Sequence, residues 1–205
     1  MAVHTQVERA GIYFITFTCY RWLHLLEQTK AYDTLYRFFT FLNGKGHQLL
    51  GYTLMPNHVH LLLYFSGGTQ SLNILIGNGK RFIGYEIIKR LKAQNDYKTL
   101  SLLGQCVPEA EKRRGKQHQL WQGTFDIKNC RTEKFILQKL NYMHQNPCVE
   151  RWQLCKHTYD FPHSSAAYYE MDQKNNLWLR DYRDFLVRIL TSEEEQRQSF
   201  LSGTT

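Results

Sequence analysis

The sequence predicts an α+β fold with an antiparallel sheet at its centre. Segments of strand-like alternation are interleaved with segments of helical periodicity, in the order β-α-β-β-α-β-α. Two of the predicted strands, 48–54 and 58–65, are joined by a turn at Pro56-Asn57 that is too short for a parallel crossover. This order favours a ferredoxin-like sandwich with a four- to five-stranded antiparallel sheet and helices on one face.

The first half of the chain contains three of the predicted strands and two helices. Residues 12–20 alternate aromatic and small polar side chains, which is typical of a strand. The segment 28–42 is rich in aromatic residues and predicts a helix that ends near Gly44. A second helix, 72–93, contains three glycines, and we expect these to let it approach DNA or a partner closely.

The second half begins with residues 94–119, which are polar and charged and predict a mobile basic loop. Residues 120–127 predict the fourth strand, and a helix follows it. We expect one domain over 1–150, because a chain of 205 residues is long enough for one substantial core. Residues 151–205 predict a C-terminal helical extension packed on the same domain, with a last helix at 182–190 and a fraying polar terminus.

Two histidines stand one residue apart at the start of the strand 58–65. Alternate side chains of a strand point to the same face, so His58 and His60 project together while Val59 and Leu61 line the other face. Two imidazoles side by side on a rigid element form half a metal site. The alternative is two histidines that alternate by chance in a half-buried strand.

A second motif lies on the helix that follows the fourth strand. Thr132 is a suitable N-cap, and Pro147 ends the helix. Helical periodicity separates a sheet-facing arc from another stripe; the arc contains Ile136, Leu140 and Met143, and the stripe contains Gln138, Tyr142 and Asn146. His144 lies roughly 200° from Tyr142 around the helix and is not expected to share a site with it. Taken alone, the tyrosine also fits an ordinary packing role.

Together the two motifs resemble a known family. His58-Val59-His60 matches the HUH motif (His, bulky hydrophobic, His), and residues 142–147 match the signature Tyr-x-His-x-Asn-Pro. Further matches are found at 55–60, at 120–126 and at 161–166, just before Tyr168. The chain resembles the HUH tyrosine transposases of the single-strand type, and more narrowly the REP-associated tyrosine transposases (RAYT). The matches run in order from about Tyr13 to Tyr168 and cover most of the chain.

The resemblance implies an enzyme that nicks and joins single-stranded DNA, with a hairpin-forming repeat as the substrate. Tyr142 would attack a phosphodiester, become linked to the 5′ phosphate and release a 3′ hydroxyl. A tyrosine hydroxyl is a poor nucleophile near neutral pH and needs help. A divalent cation, Mg²⁺ or Mn²⁺, held by His58 and His60 would polarise the scissile phosphate.

The cation needs more ligands than two histidines, since Mg²⁺ and Mn²⁺ prefer six, mostly oxygen. Asn146, one turn beyond Tyr142, is the expected third protein ligand by helix geometry, and the resemblance suggests the same position. Gln138, one turn before the tyrosine, is the competing candidate, and a helix C-cap is the structural alternative for Asn146. Lys139 could assist deprotonation of the tyrosine or contact a phosphate, although a solvated surface lysine is the simpler interpretation.

Charge is concentrated in one part of the chain. The net charge is +8 and the isoelectric point about 9.2. Residues 80–116 contain ten Lys or Arg against four Asp or Glu, whereas 117–205 contain eleven of each. Such a segment attracts phosphates, with a solubilising surface as the alternative. The candidate DNA contacts are Lys80, Arg81, Lys89, Arg90, Arg113 and Arg114.

Two other functions compete with the transposase hypothesis. A non-catalytic nucleic-acid-binding module on a ferredoxin-like sheet would bind without a covalent step. A small zinc hydrolase would use His58 and His60 around an activated water, but no third His, Asp or Glu lies at an evident ligand spacing.

The cysteines and the hydropathy limit which kinds of site and which cellular location we expect. Five cysteines, an odd number without a Cys-x-x-Cys pair, predict neither a zinc site nor a disulfide framework. The sequence contains no signal peptide and no long apolar stretch, so we expect a cytoplasmic protein without a membrane partner. HUH families include monomers and domain-swapped dimers, and a homodimer remains an open alternative.

Overall fold

Four antiparallel strands form the central sheet. The computed structural model describes residues 6–123, 125–174, 177–187 and 191. The strands are β1 (Gly11–Thr18), β2 (Gln48–Leu54), β3 (His58–Phe65) and β4 (Asp126–Asn129), in the spatial order β2-β3-β1-β4. All three neighbouring pairs are antiparallel, as in a ferredoxin-like sheet. The predicted α+β class with an antiparallel sheet is confirmed.

The helices alternate with these strands. They are α1 (Leu25–Gln28), α2 (Tyr32–Gly44), α3 (Leu72–Ala93), α4 (Tyr97–Gln105), α5 (Glu109–Lys112), α6 (Glu133–Gln145) and α7 (Ala166–Glu170). Short 3-10 turns occur at Tyr20–Trp22, Asn146–Cys148 and Thr158–Asp160. Among the described residues, no helix is long and apolar enough to cross a bilayer.

The bounds of β2, β3 and α3 agree with the sequence prediction, whereas three other segments differ. The predicted helix 28–42 corresponds to α2, which begins only at Tyr32, because Lys30 has a φ of 51° and separates it from α1. The predicted fourth strand lies further along the chain, since Trp121 makes only an isolated bridge with Cys19. The predicted loop 94–119 is wrong over α4 and α5; the Asp96 carboxylate accepts from the backbone N–H of Thr99 and caps α4.

The helices α2 and α3 cover one face of the sheet. Their apolar side chains pack with the residues of β1 and β3 that point to this face, including Phe17, Leu61 and Leu63. The two helices approach closely at Gly79, where an added Cβ would overlap the ring of Phe38. This glycine therefore serves helix packing within the protein, and not the close approach to DNA that the sequence suggested.

The other face of the sheet is covered by α6. Its predicted sheet-facing arc, Ile136, Leu140 and Met143, packs on Ile12, Phe14, Leu50 and Leu62. Tyr182, Phe185 and Leu186, from a helical stretch at 182–187, complete this core. The expectation of helices on one face therefore holds for α2 and α3 but is wrong for α6. The end of the predicted last helix, 188–190, and the terminus from 192 lie outside the described residues.

Candidate active site

Strand β3 presents the histidine pair to the face that α6 covers. Strand alternation directs Val59 into the opposite core and His58 and His60 toward α6. Both imidazoles are buried, with exposed fractions of 3% and 2%, and their ring centroids are 4.8 Å apart. The predicted pairing of the two side chains on one face is thus present.

Each imidazole is held by an oxygen at its Nδ1 atom. The Oδ1 atom of Asn57 lies 2.6 Å from Nδ1 of His58, and the Oγ1 atom of Thr16 lies 2.8 Å from Nδ1 of His60. The Asn57 amide is oriented by its Nδ2 group, which donates to the carbonyl of Trp22. A proton on each Nδ1 leaves the Nε2 lone pair free, which is the tautomer that binds a metal.

The two Nε2 atoms converge on Asn146. The amide nitrogen of Asn146 is 3.0 Å from Nε2 of His58 and 2.9 Å from Nε2 of His60. Turning this amide would direct its oxygen to the same place, giving two nitrogens and one oxygen around one point. Such a donor set fits Mg²⁺ or Mn²⁺ when waters and a phosphate supply the remaining ligands. Gln138, the competing candidate, is exposed one turn before Tyr142.

Burial keeps both histidines neutral. It lowers the pKa of His58 to about 4, helped by the charge of Arg151. It lowers the pKa of His60 well below the usual value, with smaller contributions from His58 and Lys139. Neutral imidazoles at pH 7 are available as ligands without losing a proton first.

Tyr142 lies beside this pair in the same chain. Its ring centroid is 5.3 Å from that of His60 and 6.2 Å from that of Phe14, and 56% of the residue is exposed. The ammonium of Lys139 is 5.8 Å from the tyrosine ring and 4.9 Å from the ring of Phe135. An accessible phenol, a cation and two potential metal ligands therefore share one surface. His144 is buried on another side of α6, with Nε2 2.8 Å from Oγ of Ser165.

The predicted basic segment does not converge on this surface. Lys80, Arg81, Lys89 and Arg90 belong to α3, which packs on the opposite face of the sheet. Lys80 is only 7% exposed, and its ammonium lies 5.1 Å from the centroid of the Phe125 ring. Burial lowers the pKa of Lys80 to about 8. Lys80 is therefore not a surface phosphate contact, and that part of the prediction is wrong.

The other residues predicted to contact DNA differ in whether they already bond to partners within the protein. Arg90 donates to Asp33 and to the carbonyls of Thr29 and Lys30, so it is engaged within the protein, contrary to the prediction. Lys89 is exposed, 3.9 Å from Glu86. Arg81, Arg113 and Arg114 are exposed as well.

Sequence reasoning missed three residues beside His58. The ring centroids of Trp22 and Trp152 each lie 5.9 Å from that of His58. The guanidinium of Arg151 lies 5.4 Å from the Trp22 ring and 5.2 Å from the Trp152 ring. A basic and an aromatic residue within one short loop after the Asn146-Pro147 signature were the only signal available, since Trp22 lies more than 120 residues away.

The zinc-hydrolase alternative depends on a cluster of conventional metal ligands. Across the described residues there is no group of three or more His, Cys, Asp or Glu that could hold a metal ion. A zinc hydrolase site built on His58 and His60 would need such a third ligand, so this alternative has no support in that part of the chain.

Comparisons with solved structures give the fold. A REP-associated tyrosine transposase bound to a REP hairpin matches over 87% of this chain and 88% of its own, with a TM-score of 0.56 and 17% identity. The chain has the fold of a REP-associated tyrosine transposase. This confirms the recognition of that fold from the sequence. A candidate transposase from Deinococcus radiodurans R1 matches over 71% of this chain and 97% of its own, with a TM-score of 0.36 and 16% identity. No protein-family model and no curated protein matches the sequence.

Proposed function

We propose that this protein is a metal-dependent transposase that nicks and joins single-stranded DNA through a 5′-phosphotyrosine intermediate. The observation that carries the proposal is the convergence of Tyr142, His58, His60 and Asn146 at one surface within one chain. Packing alone does not require a half-exposed tyrosine beside two buried neutral histidines whose lone pairs meet.

Tyr142 supplies the nucleophile. Its hydroxyl oxygen forms a bond to the scissile phosphorus and gives up its proton to solvent. The bond from phosphorus to the 3′ oxygen breaks, and that oxygen takes up a proton from solvent and leaves as a 3′ hydroxyl. The phosphotyrosine conserves the phosphodiester bond energy, so a 3′ hydroxyl can reverse the step and join DNA ends without ATP. Lys139, 5.8 Å from the tyrosine ring, stabilises the negative charge that develops as the phenol loses its proton.

His58, His60 and Asn146 would hold a divalent cation, Mg²⁺ or Mn²⁺, with the Asn146 oxygen turned toward it. When bound, the cation supplies Lewis-acid polarisation of the scissile phosphate. Asn57 and Thr16 keep the two imidazoles in the ligand tautomer. Both of these contacts are already formed between buried or half-buried groups, so the two imidazoles are preorganised.

The substrate we propose is single-stranded DNA that contains an imperfect hairpin. The structure of similar fold is a REP-associated tyrosine transposase bound to a REP hairpin, which is the main support for the hairpin. The excess of positive charge over the whole chain, +8, suits a polyanion. The exposed cations Arg81, Lys89, Arg113 and Arg114 are proposed to contact the hairpin backbone outside the site.

The covalent step can be tested directly. The protein is incubated with labelled hairpin DNA carrying single-stranded flanks and with Mg²⁺ or Mn²⁺, then denatured and run on a gel. We expect a labelled band at the combined mass of protein and DNA, which EDTA and Tyr142→Phe both remove. Tyr85→Phe is the matched control, because Tyr85 is 68% exposed on α3, and it should leave the band unchanged.

The same experiment separates the competing functions. A non-catalytic binding module would retain the DNA on native gels without any covalent band. A hydrolase that activates water would cut the DNA equally well after Tyr142→Phe. Either result would overturn the proposed transposase chemistry.

A further inference from the structure

The surface beside His58 carries an aromatic and cationic cluster that the proposed chemistry does not use. We propose that Trp22, Arg151 and Trp152 form a nucleobase platform, which stacks an unpaired base next to the scissile phosphate. The inference rests on the proposed single-stranded DNA substrate and deepens it, because it identifies where a flanking base is held.

Trp22 has the exposure and the neighbours that base stacking needs. The residue is 48% exposed although its ring borders buried His58. An indole face that is partly open to solvent is a good surface for stacking an unpaired base of any sequence. The exposed tyrosines of α3 and α4, Tyr85 and Tyr97, offer open faces as well, but they are not beside the histidine pair.

The backbone of the turn Tyr20–Trp22, which carries the indole, is strained. Arg21 and Trp22 have φ values of 51° and 58°, a region that residues other than glycine enter at a cost. The carbonyl of Trp22 accepts from Nδ2 of Asn57, and Oδ1 of the same amide holds His58. One side chain therefore fixes both the backbone of Trp22 and a proposed metal ligand, so the indole is carried beside the site where the phosphate is proposed to lie.

Arg151 supplies the charge. Its guanidinium lies between the rings of Trp22 and Trp152, 5.4 Å and 5.2 Å from their centroids. Within the described residues, no carboxylate lies within ion-pair distance of it. An arginine over two aromatic faces and free of acidic partners is suited to a phosphate or to the edge of a base.

The loop that carries Arg151 and Trp152 is closed on itself. The backbone N–H of Leu154 donates to the carbonyl of Pro147, and that of Trp152 to the carbonyl of Val149. The sulfurs of Cys148 and Cys155 lie 3.1 Å apart at its base. Since this loop begins directly after Asn146, the platform and the proposed third ligand are positioned by one continuous segment.

A binding experiment without metal tests the platform separately from catalysis. Fluorescein-labelled 15-nucleotide oligothymidylate is titrated with the protein in EDTA, alongside an abasic oligonucleotide of the same length and charge. We expect Trp22→Ala to weaken binding of oligothymidylate roughly fivefold to hundredfold, and to change binding of the abasic chain less than about twofold. Equal losses on both oligonucleotides, or no loss on oligothymidylate, would overturn the platform.

Further variants control for folding and for exposed aromatic surface. Trp22→Gly removes the indole and relieves the positive φ, so it should bind as Trp22→Ala does. Trp22→Phe retains a stacking ring and should recover most of the affinity. Tyr85→Ala removes a still more exposed ring on α3 and should bind like the unchanged protein. Thermal unfolding by circular dichroism checks that each variant is folded.

The outcome also separates this proposal from the function on which it rests. If the covalent band is absent while Trp22→Ala selectively weakens oligothymidylate binding, the nicking function fails and the platform is supported. If the covalent band forms while Trp22→Ala binds both oligonucleotides normally, the platform fails and the nicking function is supported.

Discussion

The two faces of the sheet carry cations in different surroundings. On the α6 side, Lys139 and Arg151 lie over aromatic rings beside the histidine pair, and no described carboxylate lies within ion-pair distance of either. On the α3 side, Arg90 is bonded to Asp33, and Lys80 is buried among aromatic rings. The dense positive charge in the sequence is thus partly neutralised or buried, whereas the two cations at the candidate site have no ion-pair partner among the described residues.

This difference teaches that charge density along the chain does not by itself identify which cations are free to contact a phosphate. A cation that already has a carboxylate or carbonyl partner must lose that partner before it can serve DNA. A solvent-accessible cation over aromatic rings has no such competitor and is available at once. We therefore expect the α6 face to contribute mainly to DNA binding and chemistry, and the α3 face mainly to stability.

The largest expected effect comes from the histidine pair. His60→Ala should reduce the covalent adduct by more than about 100-fold, because it removes a proposed metal ligand. His47→Ala is the matched control: His47 is also buried, but it stacks on Phe65 on the α3 side. It should retain adduct formation within about threefold. Gel quantification of the adduct over a Mn²⁺ titration measures both, and a full yield from His60→Ala would contradict the proposed site.

The second prediction compares the replacement of one arginine on each face of the sheet. Arg151→Gln should weaken single-stranded DNA binding about fivefold to tenfold and reduce the salt dependence by about 0.7 in the slope of log affinity against log salt. Arg90→Gln should change binding less than about twofold but destabilise the fold by about 1–2 kcal/mol, since it removes donors to Asp33 and to two carbonyls.

Fluorescence anisotropy at several salt concentrations and urea unfolding measure the two properties of this pair. The expected pattern is crossed, with an affinity loss for one variant and a stability loss for the other. A larger affinity loss for Arg90→Gln than for Arg151→Gln would show that the α3 face is the main phosphate contact after all.

The sequence predicted those parts of the site whose residues lie within one strand or one helix. Strand alternation placed His58 and His60 on one face, and helical spacing placed Tyr142 and Asn146 one turn apart; both rules act within a single element. The meeting of Trp22 with Arg151 and Trp152 depends on two distant loops, which neither rule reaches.

The errors have physical causes of the same kind. Lys80 reads as a surface cation, but its pocket is built by Phe17, Trp121 and Phe125 from separate segments. The helix α4 was missed because only Leu100 and Leu103 are buried in it, so polar composition concealed its periodicity. The second helical layer was missed because α6 follows β4 and lies outside the repeating β-α-β units.

The third prediction concerns the buried lysine of α3. Burial lowers the pKa of Lys80 from 10.5 to about 8, so between these pH values the unfolded chain binds more protons, and stability from this group rises with pH. Below pH 8 the folded protein carries the full cost of a buried charge. Lys80→Met should therefore stabilise the protein at pH 7 by about 1–3 kcal/mol after the loss of cation–π contacts.

This gain should shrink as the pH rises from 8 toward 10.5 and leave DNA binding unchanged. Urea unfolding of both proteins across that range, with anisotropy at pH 7, measures it. A constant gain at all pH values would mean that burial of the charge is not its cause.

The smallest effect is expected from the exposed arginines of the basic segment. Arg81, Arg113 and Arg114 are solvent-exposed and are proposed to contact only the hairpin, so replacing all three by glutamine should weaken hairpin DNA about twofold to fivefold. Oligothymidylate, which has no hairpin, should bind unchanged, since the platform at Trp22 remains. Competition between the two DNAs on one protein sample measures the ratio. An equal loss of affinity for both DNAs would mean that these arginines attract any DNA through long-range electrostatics and do not contact the hairpin specifically. Both faces of the sheet would then contribute to binding single-stranded DNA.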